Sequence, residues 1–223
     1  MIEWKQIETV LLDMDGTLLD LHFDNYFWQE HLPLRYAELK GLEPVTARQF
    51  IISETRKIQG SLNWYSTDYW SDLLQVDIVS LKHEVSHKVA PRPFCVDFLD
   101  ALRAARKDIV MVTNAHQDSL SLKMDKTQLE HKFDRMITVH EFSRPKEDSE
   151  CWREVDKRHP FRADKTLLID DNLHALQSAR EYGIGHLLAI SQPDSRAPRR
   201  EIEGFEAIHH FDEIMPVIEV SNE

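Results

Sequence analysis

The chain has 223 residues, of which 42% are hydrophobic and 30% are charged, and its formal net charge at pH 7 is −12. This length suffices for one substantial hydrophobic core, or for a core domain with a smaller insert. The acidic balance argues against a nucleic-acid polymer or an anionic membrane as a partner, because neither attracts a protein that lacks a large basic patch. A small anion stays compatible with it, because a metal ion and one or two cationic side chains hold such a ligand locally.

The cysteine content and the apolar runs indicate the compartment. Cys95 and Cys151 form no C-x-x-C pair and do not predict a disulfide scaffold. The first residues lack a basic stretch followed by a long apolar one, so we expect no signal peptide. The longest apolar runs, such as residues 109–112, are too short to span a bilayer. We therefore expect a cytoplasmic protein without a membrane partner.

Short aliphatic runs predict five buried parallel strands. They cover residues 9–13, 108–114, 136–140, 166–171 and 186–190. Helical spacing separates several of them, over residues 93–107, 118–131 and 172–183. We expect one more short strand and a helix after residue 204. The alternation of strand and helix predicts an α/β fold with a doubly wound, Rossmann-like parallel sheet.

Residues 20–89 interrupt this alternation. The segment has no clear strand, is helical in composition, and contains half of the 20 aromatic residues of the chain. We expect a small helical cap domain that folds over the mouth of the sheet. The α/β core domain then comprises residues 1–19 and 90–223, and the cap comprises residues 20–89.

Polar residues stand at successive predicted strand ends or in the loops beyond them, in the order Asp13, Asp15, Thr113, Lys146, Asp170 and Asp171. Doubly wound sheets bind ligands at the carboxyl ends of their strands, so we expect these side chains to converge. Several carboxylates do not stay ionised together without a cation, and hard oxygen ligands suit Mg²⁺. Lys146 and the Thr113 hydroxyl are then available to bind a phosphoryl group.

Four short motifs carry a family resemblance. The segments DMDGT (13–17), VTN (112–114), PKED (145–148) and IDD (169–171) resemble, in order, the motifs of the haloacid dehalogenase-like hydrolases. The insert stands where that family has a small helical cap. The phrases LDLHFDNYFW (19–28), NWYSTDYW (63–70) and TNAH (113–116) are similar to those of the bacterial purine 5′-nucleotidases that act on GMP and IMP.

The resemblance implies a Mg²⁺-dependent phosphomonoesterase that works through an aspartyl-phosphate. Asp13 would be the nucleophile, and Asp15 would act as general acid and then as general base. Mg²⁺ would lie between Asp13, the main-chain carbonyl of Asp15 and Asp170, with Asp171 bound through a water. The substrate would be a small phosphorylated metabolite, namely a purine nucleoside monophosphate that is cleaved to nucleoside and phosphate.

The same resemblance implies a phosphate-binding set of Thr113, Lys146 and the main-chain amide of Asn114. Recognition of a 6-oxopurine would need polar groups and stacking surfaces in the insert. The candidates, chosen by proximity in sequence, are Asp24, Asn25, Trp28, Asn63, Trp64 and Asp68. Aromatic residues serve equally well to pack helices together.

Three alternatives stay open. A sugar-phosphate phosphatase or a phosphomutase would use the same motifs with a different cap. A phosphoaspartate signalling switch would combine similar residues, but in receiver domains the acidic pair precedes the phosphorylated aspartate, whereas Asp170 and Asp171 come last here. The segment HEVSH (83–87) matches the zinc-protease pattern H-E-x-x-H, although two lysines flank it and Pro91 follows soon after.

Overall fold

The computed structural model describes residues 2–216 of the chain. In this range six strands form one parallel sheet in the order β3-β2-β1-β4-β5-β6. The strands are β1 (Thr9–Leu12), β2 (Asp108–Thr113), β3 (Arg135–Thr138), β4 (Thr166–Asp170), β5 (His186–Ile190) and β6 (Glu206–Ile208). The predicted α/β class with a doubly wound parallel sheet is confirmed, and all five predicted strands are present.

Helices precede or follow most of these strands. The segment between β1 and β2 contains α1 (His22–Tyr26), α2 (Leu32–Lys40), α3 (Pro44–Ile58), α4 (Leu62–Tyr65), α5 (Thr67–Leu74), α6 (Ile78–Glu84) and α7 (Cys95–Ala104). The rest of the chain contributes α8 (Gln117–Thr127), α9 (Ser149–Arg158) and α10 (Leu173–Tyr182). A π-helical turn, Phe27–His31, joins α1 to α2. Within residues 2–216, no helix combines the length and the apolar character that a membrane crossing requires.

The end of α8 differs from the sequence prediction, which continued the helix to residue 131. Gln128 adopts a left-handed conformation with φ of 55°, and its N–H donates to the Met124 carbonyl. This geometry caps the helix at its C-terminal end. A separate 3₁₀ turn follows over Glu130–Lys132.

The sheet is buried on both faces, which explains its uninterrupted aliphatic strands. Val10 and Leu12 of β1 pack with residues of α7 and α8 on one face. Leu11 points to the other face, where residues of α9 and α10 cover it. All three side chains are fully buried. The carboxyl edge of the sheet is therefore held by two packed layers of helices.

The helices between residues 20 and 89 have an apolar cluster of their own. Phe23, Phe27, Trp70 and Ile78 are buried in it, together with Leu122 of α8. The Trp70 indole N–H donates to the Trp64 carbonyl at 3.1 Å, so this large side chain is both packed and hydrogen-bonded. The division into a core of residues 1–19 and 90–223 and a cap of residues 20–89 stays a prediction.

The segment after residue 204 contains the expected late strand, β6. The described part of the predicted helix beyond it is a 3₁₀ turn, Phe211–Ile214, and residues 217–223 lie outside the described range. The Phe211 ring stacks on Phe98 of α7, with ring centroids 4.6 Å apart. This contact fastens the turn to the core.

Candidate active site

The carboxyl edge of β1 lies between β2 and β4, so the polar residues that follow these strands meet there. The Asp13 main-chain N–H donates to the Ile169 carbonyl at 3.0 Å, which continues the β1–β4 pairing by one residue. Thr113 ends β2 and Asp170 ends β4. Asp13, Thr113 and Asp170 are all buried. The predicted convergence of these strand ends is therefore present.

Lys146 joins two of the converging carboxylates. Its ammonium Nζ donates to Asp13 Oδ1 at 2.5 Å and to Asp170 Oδ2 at 2.7 Å. Although burial opposes a charged ammonium, the two carboxylates raise the pKa of Lys146 well above its ordinary value. Lys146 thus stays a cation in the centre of the site.

Three carboxylates stand close enough together to hold a metal ion. Ligand oxygens of Asp13, Asp170 and Asp171 all lie within 4.8 Å of one another. Burial, followed by repulsion from Asp13 and Asp170, raises the pKa of Asp171 well above its ordinary value. Asp13 Oδ2 is buried and has no hydrogen-bond partner among the described residues. An excess of negative charge and an unpaired oxygen fit a divalent cation with oxygen ligands, as Mg²⁺ requires.

Gly16 allows the β1 loop to approach the last of these carboxylates. Its φ is +88°, which favours glycine, and an added Cβ would lie 2.8 Å from Asp171 Cγ and 2.9 Å from Pro193 Cβ. A larger residue would be strained in conformation and would displace Asp171. The glycine after the aspartate pair is therefore a structural requirement of this site.

Asp15 faces the same site through different contacts. Its Oδ1 accepts a hydrogen bond from Lys123 Nζ at 2.6 Å, and Lys123 also donates to Asp24 Oδ2 at 2.6 Å. Burial raises the pKa of Asp15 to about 6, against the effect of Lys123 and with support from Asp24 and Asp13. A carboxyl group with a raised pKa can exchange a proton near neutral pH.

Glu147 connects three segments of the chain next to Lys146. Its carboxylate accepts hydrogen bonds from Tyr65 Oη at 3.0 Å, Asn172 Nδ2 at 2.8 Å and Asn114 Nδ2 at 2.9 Å. Asn114 Oδ1 in turn accepts from the Lys146 main-chain N–H at 3.0 Å. The Asn114 side chain therefore fixes the Lys146 loop. Tyr65, in the inserted segment, is tied to the same carboxylate.

A cavity of about 740 Å³ opens at this edge of the sheet. Its volume lies within the range of about 300–1,000 Å³ typical of small-molecule sites. The catalytic candidates Asp13 and Asp15 and the phosphate-binding candidate Lys146 line it, as do Trp28 and Trp64 from the inserted segment. A small molecule bound there would contact charged groups at one end and aromatic surface at the other.

The structure separates the six specificity candidates into two groups. Asp24, Asn25, Trp28 and Trp64 line the cavity, whereas Asn63 and Asp68 are exposed and do not. Asp68 instead lies 3.5 Å from His116 Nε2. Asn25 Nδ2 donates to Asp194 Oδ2 at 2.7 Å, so this amide is held by a residue from the far end of the chain.

The H-E-x-x-H segment does not form a metal-binding helix face. Helix α6 ends at Glu84, and a 3₁₀ turn over Ser86–Lys88 follows, so His83 and His87 do not share one helix. The Glu84 carboxylate is paired with Arg35 and His31. Among the described residues, the clusters able to hold a metal ion do not include either histidine.

Two functional candidates, Lys123 and Glu147, were missed from the sequence. Lys123 stands among the buried residues of α8, with Leu122 and Met124 beside it. In the sequence, Lys123 stands directly between two apolar residues of a predicted helix, and a lysine is rarely buried unless it is paired, so the signal for an internal ion pair was weak. Glu147 follows Lys146 directly, yet its three donors come from distant segments, and no local pattern indicates them.

Known proteins share this sequence and fold. The sequence profile of the haloacid dehalogenase-like hydrolases matches residues 10–190. The GMP/IMP nucleotidase YrfG of Escherichia coli (strain K12) is 36% identical over 215 residues, which cover 96% of this chain and 97% of that protein. A HAD phosphatase from Thermococcus onnurineus superposes with a TM-score of 0.76 at 21% identity, over 93% of this chain and 95% of that one.

A more distant structure shows how far the fold extends. L-2-haloacid dehalogenase from Xanthobacter autotrophicus has a TM-score of 0.53 at 17% identity, over 83% of this chain and 78% of that one. Proteins named as a phosphatase and as a dehalogenase thus share one fold, so the chemistry has to be argued from side chains. The profile match and the 36% identical relative confirm the predicted family and an enzyme of the hydrolase class. The chain belongs to the haloacid dehalogenase-like hydrolases.

Proposed function

We propose that this hydrolase is a Mg²⁺-dependent phosphomonoesterase that forms an aspartyl-phosphate on Asp13. One observation carries the proposal. A buried Asp13 carboxylate with an unpaired oxygen lies beside the Lys146 ammonium, and Asp15, two residues further, lines the same cavity. A nucleophile, a cation for phosphoryl oxygens and a proton donor are the groups that this reaction needs.

In the first step, a carboxylate oxygen of Asp13 attacks phosphorus and the bond from phosphorus to the ester oxygen breaks. Asp15 gives its proton to the departing oxygen, which leaves as a neutral alcohol. Lys146 and the Thr113 hydroxyl hold the phosphoryl oxygens, and the Asn114 side chain holds the Lys146 loop. The product of this step is a phosphoryl group bound to Asp13.

In the second step, water attacks the phosphorus of the aspartyl-phosphate. Asp15, now ionised, takes a proton from that water, the bond from phosphorus to the Asp13 oxygen breaks, and phosphate leaves. Both residues return to their starting state. One residue thus serves as acid and then as base, which its position beside Asp13 and its raised pKa support.

Asp13, Asp170, Asp171 and the main-chain carbonyl of Asp15 would hold Mg²⁺. The bound ion would neutralise the clustered carboxylates and stabilise negative charge on the phosphoryl oxygens. Phosphate-monoester hydrolysis is among the slowest uncatalysed reactions, and enzymes accelerate it up to roughly 10²¹-fold. Proton donation supplies about 10²- to 10⁴-fold of that, so the nucleophile and the cations must contribute the larger share.

Purine nucleoside monophosphates are the substrates that we propose, with GMP and IMP preferred. The GMP/IMP nucleotidase YrfG is similar over almost the whole length of both chains. The cavity extends from the carboxylates to Trp28 and Trp64, whose rings suit the face of a purine. In this proposal residues 20–89 act as a cap that bounds the substrate cavity. The cytoplasm stays the compartment that the sequence predicts.

One alternative is another enzyme of the same family, and a second is a protein that is not an enzyme. A sugar-phosphate phosphatase or phosphomutase would use the same carboxylates with a different preference for the group beyond the phosphate. A signalling switch would need the phosphorylated aspartate but neither Asp15 nor a cavity lined by Trp28 and Trp64. These residues favour turnover over a switch.

The experiment is phosphate release with Mg²⁺ from GMP, IMP, AMP, CMP, ribose 5-phosphate and p-nitrophenyl phosphate. We expect kcat/KM for GMP and IMP to exceed that for AMP by more than about tenfold, because a site built for a 6-oxo group leaves polar groups mismatched by a 6-amino group. Activity confined to ribose 5-phosphate would refute the purine preference and keep the reaction type. Release from none of the six by folded, Mg²⁺-loaded protein would refute the phosphatase proposal.

A further inference from the structure

Four charged side chains of alternating sign connect the inserted helices to Asp15. Lys82 Nζ of α6 donates to Asp24 Oδ1 of α1 at 3.2 Å. Asp24 Oδ2 accepts from Lys123 Nζ of α8 at 2.6 Å, and Lys123 donates to Asp15 Oδ1 at 2.6 Å. All four residues line the cavity. An uninterrupted run of ion pairs therefore ends at the proton donor of the proposed reaction.

These contacts change the role expected of Asp24, which the sequence analysis named as a candidate for hydrogen bonding to the purine base. Each of its two carboxylate oxygens already accepts a hydrogen bond from a buried ammonium. Against the effect of burial, Lys123 and Lys82 hold the pKa of Asp24 below its ordinary value. Both oxygens of Asp24 are therefore engaged by lysines. We expect Asp24 to act by holding these lysines, and not by binding the purine base.

Burial and two ion pairs restrict the long side chain of Lys123. Its side chain is only 1% exposed, and its Nζ lies 5.3 Å from the centre of the Phe23 ring. A buried ammonium is strongly unfavourable unless it is paired. Asp15 and Asp24 supply that pairing from two sides, so Lys123 has a single well-defined position between them.

Asp15, in contrast, depends on Lys123 for its orientation. Among residues 2–216, Lys123 is the one hydrogen-bond donor to the Asp15 side chain, and it binds Oδ1. The other oxygen, Oδ2, is left for the substrate. Proton transfer requires the donor oxygen within hydrogen-bond reach of the ester oxygen, and loss of alignment by about 1 Å can cost roughly 10²-fold in rate.

We propose that Lys123 is a positioning residue that fixes the Asp15 carboxyl group with Oδ2 towards the departing ester oxygen, and that Asp24 of the inserted segment holds Lys123 in that position. This inference rests on the proposed function, because it assigns Lys123 to the proton-donating step of that reaction. It adds that the segment of residues 20–89 contributes to catalysis by orienting a residue of the core.

Loss of the positioning contact should affect two kinds of ester differently, whereas general loss of structure should affect both equally. An alkyl ester needs a proton on its leaving oxygen, whereas p-nitrophenolate leaves readily without one. Misalignment of Asp15 therefore harms an alkyl ester far more than an aryl ester. The quantity to compare is kcat/KM, because it reports steps up to the first departure of the alcohol and excludes the later hydrolysis of the aspartyl-phosphate.

The test compares Lys123→Met with the wild type on p-nitrophenyl phosphate and on the alkyl monoester of the panel that the wild type hydrolyses fastest. We expect kcat/KM for the alkyl ester to fall about 10²-fold and that for the aryl ester less than about threefold. Lys126→Met, at an exposed position of the same helix, is the matched control and should leave both values unchanged. Lys123→Arg keeps the cation and should restore part of the alkyl activity.

Asp24→Asn provides a second variant for the case in which Lys123→Met does not fold, as judged by circular dichroism. It should show the same preference for loss on the alkyl ester, at about tenfold, because Lys123 stays in place but loses one charged partner. Equal losses on both esters would overturn the positioning role and leave the proposed phosphatase activity intact. Release from neither ester by the wild type would overturn both.

Discussion

At the scale of single residues, the main feature of the site is that several carboxylates lie close together. Asp13 and Asp170 share the Lys146 ammonium, whereas the Asp171 carboxylate lies 3.8 Å from the Arg200 guanidinium. Burial and the neighbouring carboxylates raise the pKa of Asp171. Such a cluster is unfavourable by itself and becomes favourable when a divalent cation binds to it.

Asp171→Asn tests whether the Asp171 charge contributes to cation binding, and the test does not depend on enzymatic activity. Mg²⁺ should raise the melting temperature of the wild type, because a ligand that binds only the folded state stabilises it. The variant should show little or no Mg²⁺-dependent increase, since one of three carboxylates is neutral. Its metal-free melting temperature should equal or exceed that of the wild type, because repulsion is relieved.

Asp125→Asn, at an exposed position of α8, is the control for this comparison and should keep the full response to Mg²⁺. Differential scanning fluorimetry with and without Mg²⁺ measures all three proteins. A Mg²⁺-dependent increase of the same size in Asp171→Asn and in the wild type would exclude Asp171 from the metal site.

Several site residues could be predicted from sequence at this scale, and others could not. Asp13, Thr113 and Asp170 are adjacent to strand ends, so local strand patterns and the topology of parallel sheets indicate that they meet. The pair of Lys123 and Asp24 is 99 positions apart in the chain, in segments whose mutual packing no periodicity specifies. Long-range side-chain pairing, in contrast to backbone pattern, needs the folded structure.

At the scale of elements, polar side chains fix where several helices begin. Ser66, Asp77, Asp148 and Asn172 each accept a hydrogen bond from a main-chain N–H in the first turn of α5, α6, α9 or α10. Such caps satisfy amides that have no partner within the helix. Helix α6 carries Lys82, so its cap also supports the ion pairs that lead to Asp15.

Asp77→Ala should lower the free energy of unfolding by about 1 kcal/mol at neutral pH, because the cap of α6 is lost. The pKa of Asp77 is lowered in the folded protein, chiefly by its hydrogen bonds with Ser80. Its contribution is therefore present at neutral pH and is lost as the pH falls through that lowered pKa, below the ordinary value of 3.8. The difference between wild type and variant should shrink accordingly.

Urea unfolding followed by circular dichroism at a series of pH values measures this difference. Asp72→Ala, at an exposed position of α5 that caps no helix, is the matched control and should change stability by less than about 0.5 kcal/mol. An Asp77→Ala variant as stable as the control at neutral pH would contradict the capping role.

At the scale of the whole molecule, the layered fold follows from a pattern that is visible in the sequence. Fully apolar strands predict a sheet covered on both faces, and alternate residues of β1 indeed pack against different pairs of helices. After β6, the described residues Phe211–Ile214 form a 3₁₀ turn, and the Phe211 ring stacks on Phe98 of α7.

The inserted helices line one side of the cavity at the carboxyl edge of the sheet. They contribute Trp28 and Trp64 to one side, while the strand ends contribute the carboxylates to the other. The Tyr65 hydroxyl donates to Glu147, beside Lys146, and Asp24 accepts from Lys123 of α8, so polar contacts connect the inserted segment to the residues around Asp13 and Asp15. Under the proposed function, substrate selection and catalysis depend on these same contacts.

The central claim is that Asp13 attacks phosphorus, and its most direct test is phosphate release by the wild type and by Asp13→Asn, each with Mg²⁺ and with EDTA. An amide is a poor nucleophile, so kcat for Asp13→Asn should fall more than about 10³-fold while circular dichroism shows a folded protein. EDTA should abolish wild-type release, and added Mg²⁺ should restore it. Release by a folded Asp13→Asn protein at the wild-type rate would contradict the account.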